Sequence, residues 1–517
     1  KYREEKPFAI MAKSVAEIKR FCLVSQAEEA LLLSPQRPIV LLGRQAVSAV
    51  PTAVAPGVNT LGFMLPYSPL HHLLLNQFER PLVMTSGNIS DEPICYENEQ
   101  ALERLNEIAD YFLLNDRRIH IRSDDSVARV CEGKEMVVRR SRGYAPAPIK
   151  TSFRFEREIL ACGAELKNTF CLARDHHAFI SHHIGDLENL ETLRSFTGGI
   201  EHFKRLFHLR PEAIAYDLHP EYLSTKYALS LDSQGPKIGV QHHHAHVASC
   251  MADNGIEGEV IGAAMDGLGF GADGRLWGGE FFVADLSEAE RIGHLEYIPM
   301  PGGAKAIREP WRMAAIYLQR AVGDSFPALN LPLTTNMDRR TWYVLKRMAE
   351  QGVNSPDTSS IGRLFDAVSS LVGIRHATNY EGQAAIELEA IADKSVNQGY
   401  AFEIGSDGII KADSIIRLIV EELVDGVSPA KISARLHLGI ASLISSMAQR
   451  VREKRRLNRV VLSGGVFQNM FLVRASCRML RADGFEVFTH RRVPPNDGGI
   501  SLGQAAIANA RLASGRA

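Results

Sequence analysis

Residues 260–284 read VIGAAMDGLGFGADGRLWGGEFFVA: a small-residue apolar strand, an acid followed by glycines, then a second apolar strand. Residues 159–180, ILACGAELKNTFCLARDHHAFI, have the same plan, with the turn 163–169 between two strand-like runs. A strand–turn–strand unit that occurs twice predicts a duplicated nucleotide-binding fold, one copy per half. Glycines directly after a strand let backbone N–H groups approach a phosphate closely. In the second copy Asp266, Gly267 and Gly269 form such a loop; in the first, Lys167 and Thr169 are placed to contact phosphate. A Gly-rich hairpin and a solvated lysine in a turn are the plainer readings of the same residues.

The pattern continues outward on both sides. Towards the carboxyl end, residues 459–462 (RVVL) predict a strand, Ser463-Gly464-Gly465 a tight turn, 466–482 a helix, 486–489 a strand, and 495–499 (PNDGG) a turn before a final helix. Towards the amino end, strand-like runs at 39–42 and 82–85 alternate with amphipathic stretches at 15–22 and 97–108, an α/β pattern. The alternating prolines of 145–150 (APAPIK) predict an extended linker. We therefore expect an α/β chain with one domain over 1–147 and a second over 148–517, the latter with two subdomains.

Composition narrows the class. The 517 residues are 45% hydrophobic and 23% charged, which excludes a disordered or fibrous chain. Lys and Arg total 59 against 60 Asp and Glu, so no global field favours nucleic acid or a membrane surface. Apolar runs such as 38–43 are too short to span a bilayer. Seven cysteines, none in a CxxC pair, fit a reducing, cytoplasmic setting and argue against a disulfide framework or a Cys-based zinc finger. The opening at Lys1 reads as the middle of a domain, which suggests a chain whose amino-terminal part is missing.

The sharpest chemical signal is Gln241-His242-His243-His244-Ala245-His246, four of the 18 histidines in five residues. On a helix, His242 and His246 share a face and can present two imidazoles to one cation. A useful site needs a further ligand, and Asp266 and Asp497, both beside glycines, are the candidates. An N/O donor set suits Zn, Fe or Mn. In the first domain, eight cations crowd residues 117–142 against four acids, enough guanidinium to build a polyphosphate pocket, although such charges commonly form a solvated face.

These motifs together resemble a known family. Residues 1–11 (KYREEKPFAIM), 65–75 (LPYSPLHHLLL), 85–94 (TSGNISDEPI), 124–127 (DDSV) and 140–143 (RSRG) look like the YrdC-type domain. Residues 241–249 (QHHHAHVAS), 266–280 (DGLGFGADGRLWGGE), 380–389 (YEGQAAIELE), 463–469 (SGGVFQN) and 495–505 (PNDGGISLGQA) look like the carboxy-terminal domain of the HypF hydrogenase-maturation carbamoyltransferases, which is itself similar to the transferase making threonylcarbamoyladenosine on tRNA. The resemblance covers nearly the whole chain. The family's acylphosphatase and Cys-rich zinc-finger regions, and the start of the YrdC-type domain, have no counterpart here, so carbamoyl phosphate hydrolysis falls outside these residues.

The resemblance implies an incomplete YrdC-like domain followed by a duplicated actin-like (ASKHA) domain. The first would use ATP, with Mg, and carbamate or a carbamoyl phosphate-derived substrate to form carbamoyl-adenylate and release pyrophosphate; Lys1, Arg3, Lys6, Ser86, Asn88, Arg140 and Arg142 match its nucleotide positions. The second would pass the carbamoyl group to the C-terminal cysteine thiolate of a HypE-type partner, for the cyanide ligands of nickel–iron hydrogenase. There the resemblance implies Zn or Fe on His242, His246 and Asp497, with Asp266 completing or orienting the sphere. Lys167, Thr169, Gly267, Gly269, Asp366, Gly382, Gly464, Gly465 and Asn469 match nucleotide-binding positions. A tRNA-directed carbamoyltransferase and an actin-like regulator without transfer chemistry are the competing readings. The triple-histidine run disfavours the first, and imidazole ligands disfavour the second.

Overall fold

Three sheets carry the chain in a computed structural model that describes residues 5–89, 92–335 and 337–516. The first has six strands in the order Leu82–Met84, Ala9–Met11, Thr60–Met64, Ile39–Gly43, Val127–Cys131, Lys134–Arg139. Alternation along Ile39–Gly43 turns Val40 and Leu42 into a core with Ile18, Leu32, Leu61 and Phe63. The helix Gln26–Leu33 covers that core and is started by a capping box between Ser25 and Glu28. A smaller cluster of Met11, Met64 and Leu75 also packs in this domain.

The duplication expected from the two hairpins is visible in the topology. The four-stranded sheet runs Cys171–Ile180, Ile149–Ala161, Ala213–Asp217, Lys237–Val240. Its first pair is an antiparallel hairpin and the next two strands add in parallel. The core of the nine-stranded sheet repeats that order: Leu276–Ala284, Val260–Phe270, Arg459–Ser463, Glu486–Phe488, again an antiparallel hairpin followed by two parallel strands. Alternation is weak in Val260–Phe270 because residues 260–266 are all buried, as a central strand covered on both faces requires.

The chain forms two compact units. Unit 1 comprises residues 1–240, 252–256 and 490–517; unit 2 comprises 241–251 and 257–489. In unit 1 the final helix, Ile500–Ala513, packs on the four-stranded sheet, and every residue from Ile500 to Asn509 is buried. Its Gln504 accepts from the Gly163 amide at 2.8 Å and donates to the Gly163 carbonyl at 3.1 Å, fixing the first glycine turn.

Two sequence expectations need correction. Residues 145–150 are not an open linker: Ala145 and Ala147 close turns onto Ser141 and Tyr144, and the strand Ile149–Ala161 begins inside the segment. The buried Arg140 guanidinium ties it down by donating to the Tyr144 and Ala147 carbonyls. The helix after Gly465 starts at Met470 rather than at 466, because residues 465–468 form a 3₁₀ turn and the Asn469 side chain caps the helix by accepting the Leu472 N–H. Among the described residues, no helix is long and apolar enough to cross a membrane.

Candidate metal and nucleotide centre

The helix His242–Asn254 follows directly on the strand Lys237–Val240. Gln241 starts it by accepting the His244 backbone N–H on its side-chain oxygen at 2.8 Å. One helical turn separates His242 from His246, and their ring centroids lie 5.0 Å apart. Both are buried, as are His243 and His244. His244 is a packing residue: its Nε2 meets the Asp285 carbonyl at 2.8 Å.

Unit 2 brings Asp266 to the histidine pair. Its Oδ2 lies 3.6 Å from Nε2 of His242 and 3.6 Å from Nε2 of His246. Ligand atoms of these three residues all fall within 4.8 Å of one another. The other carboxylate oxygen, Oδ1, accepts the Gly465 N–H at 2.9 Å. Burial pushes the Asp266 carboxyl up, but the two imidazoles outweigh it and hold the group well below the usual carboxylate range. Two imidazole nitrogens and an ionised carboxylate converging in a dry interior are a donor set for a borderline divalent cation such as Zn or Fe. Asp497 heads the short turn Asp497–Gly499 in unit 1; there the Asn496 side chain accepts the Gly498 N–H at 3.0 Å and Thr169 donates to the Gly498 carbonyl at 3.0 Å.

The glycines around Asp266 are placed by sterics. Gly464 has φ 105°, and a Cβ there would lie 2.2 Å from the Met265 carbonyl oxygen. Only glycine lets this turn press against the strand end that carries Asp266. A Cβ on Gly269 would strike the His242 and His243 rings at 2.5 and 2.6 Å, whereas one on Gly267 meets nothing within 4 Å, so open space adjoins that residue. Asn469 is held twice: Oδ1 caps its helix, and Nδ2 lies 2.7 Å from His437 Nε2. Glu389 accepts the next two amides, Met470 and Phe471. Gly382 caps the helix Gln383–Ile391 in the left-handed conformation, φ 73°. Asp366 is buried against Arg363, with Nε and Nη2 at 2.8 and 2.7 Å from one oxygen; burial raises its carboxyl and Arg363 pulls it back.

In unit 1, Lys167 occupies a left-handed turn, φ 47°, and its amide donates to Asp186. Thr169 is buried and bonded to the Gly498 carbonyl and the Ser501 hydroxyl, so it secures the final helix. Three motifs of the first domain meet: the Arg142 guanidinium lies 3.4 Å over the Tyr67 ring and 2.8 Å from Asp125, and His71 stands edge-on to Tyr67 at 4.4 Å. Burial and Asp125 push the Tyr67 hydroxyl up to about 12. Ser86 donates to Asn88, whose amide closes its own loop on Ile89 and Glu92. The donors of Arg140 face protein carbonyls, including Ile180 at 2.9 Å. Lys6 is exposed, and Lys1 and Arg3 lie outside the described residues.

Sequence reasoning did not find the Gly465 amide on Asp266, the Gln241 cap, or His437 behind Asn469. The position of Gln241 just ahead of the histidine helix was the one local signal available.

Residues 262–504 match the second subdomain of the carbamoyltransferase Kae1-like domain, residues 154–253 the HypF Kae1-like domain, and residues 1–141 the Sua5/YciO/YrdC domain described as telomere recombination. The chain is 39% identical to carbamoyltransferase HypF of Rhodobacter capsulatus, over 99% of this chain and 68% of the relative. It is 37% identical to carbamoyltransferase HypF of Synechocystis, over 98% and 67%. A crystal structure of full-length HypF in the phosphate- and nucleotide-bound form superposes with TM-score 0.95 at 46% identity, covering 99% of this chain and 80% of that one. The chain thus spans about two-thirds of the length of these sequence relatives.

Proposed function

The chain belongs to the HypF carbamoyltransferase family, and from that premise we propose that it makes carbamoyl-adenylate from ATP and transfers the carbamoyl group to the C-terminal cysteine of a HypE-type partner during hydrogenase maturation. The observation that carries the second half is the convergence of His242, His246 and Asp266 beside the Gly465 amide.

The first step belongs to residues 1–147. A carbamate oxygen attacks the α-phosphorus of Mg-bound ATP, and pyrophosphate leaves. Lys1, Arg3, Lys6, Ser86, Asn88 and Arg142 are the proposed nucleotide contacts, with Arg142 oriented by Asp125 and Tyr67. The second step belongs to residues 148–517. The acceptor thiolate attacks the carbamoyl carbon, a C–S bond forms, the C–O bond to the adenylate breaks, and AMP leaves with that electron pair. Gly464, Gly465 and Asn469 are the proposed adenosine contacts, and Asp366, Gly267, Gly382 and Lys167 are further proposed nucleotide contacts. Asp266 links nucleotide turn and histidine pair through one carboxylate. His242 and His246, with Asp497 as the further ligand, would hold Zn or Fe, which when bound offers an oxygen of the substrate a positive centre.

Incubation with ATP, labelled bicarbonate, ammonia and a HypE-type acceptor, followed by mass analysis of the acceptor's last cysteine, tests the whole reading. The native chain is expected to add one carbamoyl group. His242→Ala and His246→Ala are expected to lose bound metal and abolish transfer while pyrophosphate release from ATP continues. Full carbamoylation by both variants would remove the basis of the assignment.

A further inference from the structure

Of the three residues between His242 and His246, His243 has no part in the transfer step so far. The His243 ring is fully buried, and among the described residues its Nε2 has no hydrogen-bond partner. Its neighbours fix which nitrogen carries hydrogen. Gln241 Oε1 accepts the His244 backbone N–H, which turns the Gln241 amide nitrogen toward the Phe270 carbonyl at 3.0 Å and toward His243 Nδ1 at 3.3 Å. An amide nitrogen only donates, so Nδ1 is the acceptor and Nε2 bears the hydrogen. A buried N–H with no acceptor is rare in folded proteins and calls for a physical reason.

The surroundings supply one. The His243 ring lies 5.3 Å from His242 and 6.2 Å from His246, packed on Gly269 of the strand that also carries Asp266. A second buried donor without a partner, Arg291 Nη2, is nearby. The Arg291 guanidinium lies 4.0 Å over the Trp277 ring, and the same indole is 6.0 Å from the His243 ring. The other Arg291 nitrogens are taken by Glu280 at 2.5 Å and Tyr297 at 2.9 Å. Two buried N–H groups therefore border one indole beside the histidine pair, and among the described residues neither has an oxygen to donate to.

We propose that His243 is a further catalytic residue of this centre, its Nε2–H donating to the carbonyl oxygen of the carbamoyl group under transfer. The proposal rests on the carbamoyl-transfer reading above. As the thiolate sulfur bonds to the carbamoyl carbon, the carbonyl oxygen takes on negative charge, and it returns that charge when the bond to the adenylate breaks. A preorganised N–H in a dry site stabilises this charge without any proton moving.

The test uses the full metal-loaded chain with His243→Phe, which removes the donor, and His243→Gln, which keeps an amide N–H near the Nε2 position. Metal content, nucleotide-driven pyrophosphate release, and kcat and KM for the HypE-type acceptor are measured for each. His243→Phe is expected to lower kcat on the order of 10²–10³-fold, with metal content, pyrophosphate release and acceptor KM unchanged. His243→Gln is expected to regain much of the loss. Wild-type kcat in His243→Phe overturns the proposal, as does metal loss in both variants, which would make His243 a support of the metal ligands. Should the phenylalanine variant fail to fold, His243→Ala carries the same comparison. His246→Ala separates the two claims: if it too transfers at the wild-type rate, the transfer reading itself is what fails.

Discussion

His182 gives unit 1 an acid limit. The side chain is 5% exposed, and burial, reinforced by Arg122 and His202, lowers its pKa to about 4 from the ordinary 6.5. Between those values the unfolded chain takes up a proton that the folded one refuses, so stability falls as pH drops from 6.5 toward 4. His182→Gln is expected to flatten that slope; thermal midpoints of both proteins across this range check it, and parallel curves would contradict it. Gly464 sets a different limit. Gly464→Ala places a Cβ against the Met265 carbonyl in a left-handed turn, and a loss of roughly 1–3 kcal/mol or more follows from strained backbone of this kind. Urea unfolding measures it. Weaker nucleotide binding should accompany it, because Gly465 and Asn469 follow the same turn.

At the scale of elements, the helix Ile361–Leu371 is buried along its entire length, so the pair Arg363–Asp366 sits inside the protein. Removing one partner leaves the other charge uncompensated, which costs about 3–5 kcal/mol, whereas replacing both by apolar groups is far milder. Asp366→Ala is therefore expected to be less stable than the double variant Arg363→Met/Asp366→Leu. If the double variant still binds nucleotide at native affinity, Asp366 serves packing and not the nucleoside. The histidine helix shows how much of an element is legible locally: the four-residue spacing of His242 and His246 was plain in the sequence, whereas the Gln241 cap emerged only with the structure. The turn after Gly464 was less so, because an Asn469 cap competes with continued helix, and the His437 contact on its amide comes from a remote part of the chain.

For the molecule as a whole, unit 1 is discontinuous: residues 490–517 return to the four-stranded sheet formed by residues 149–240. The final helix buries Ile500–Asn509 and supplies Gln504 to Gly163 and Asn509 to the strand at Arg154 and Glu156. A fragment ending at residue 240 is expected to expose that apolar face and to aggregate, while the same fragment joined by a flexible linker to residues 490–517 should give a cooperative melt. Equal melts for both would show that the return of the chain contributes nothing to stability.

The sequence by itself determined the alternating α/β pattern, the two hairpins and their glycine turns, and the one-turn spacing of His242 and His246, since each follows from periodicity over a few residues of chain. Only the tertiary structure decided that Asp266 reaches that pair while its other oxygen takes the Gly465 amide, because this depends on Val260–Phe270 and Arg459–Ser463 lying side by side with Ala264 opposite Ser463. It likewise decided that Thr169 spends its hydroxyl on Gly498 and Ser501, far along the chain, and that Arg140 reaches the Ile180 carbonyl besides those of its neighbours Tyr144 and Ala147. Spacing along a helix is fixed by bond geometry, whereas the company a buried side chain keeps is fixed by which remote strands and turns pack around it.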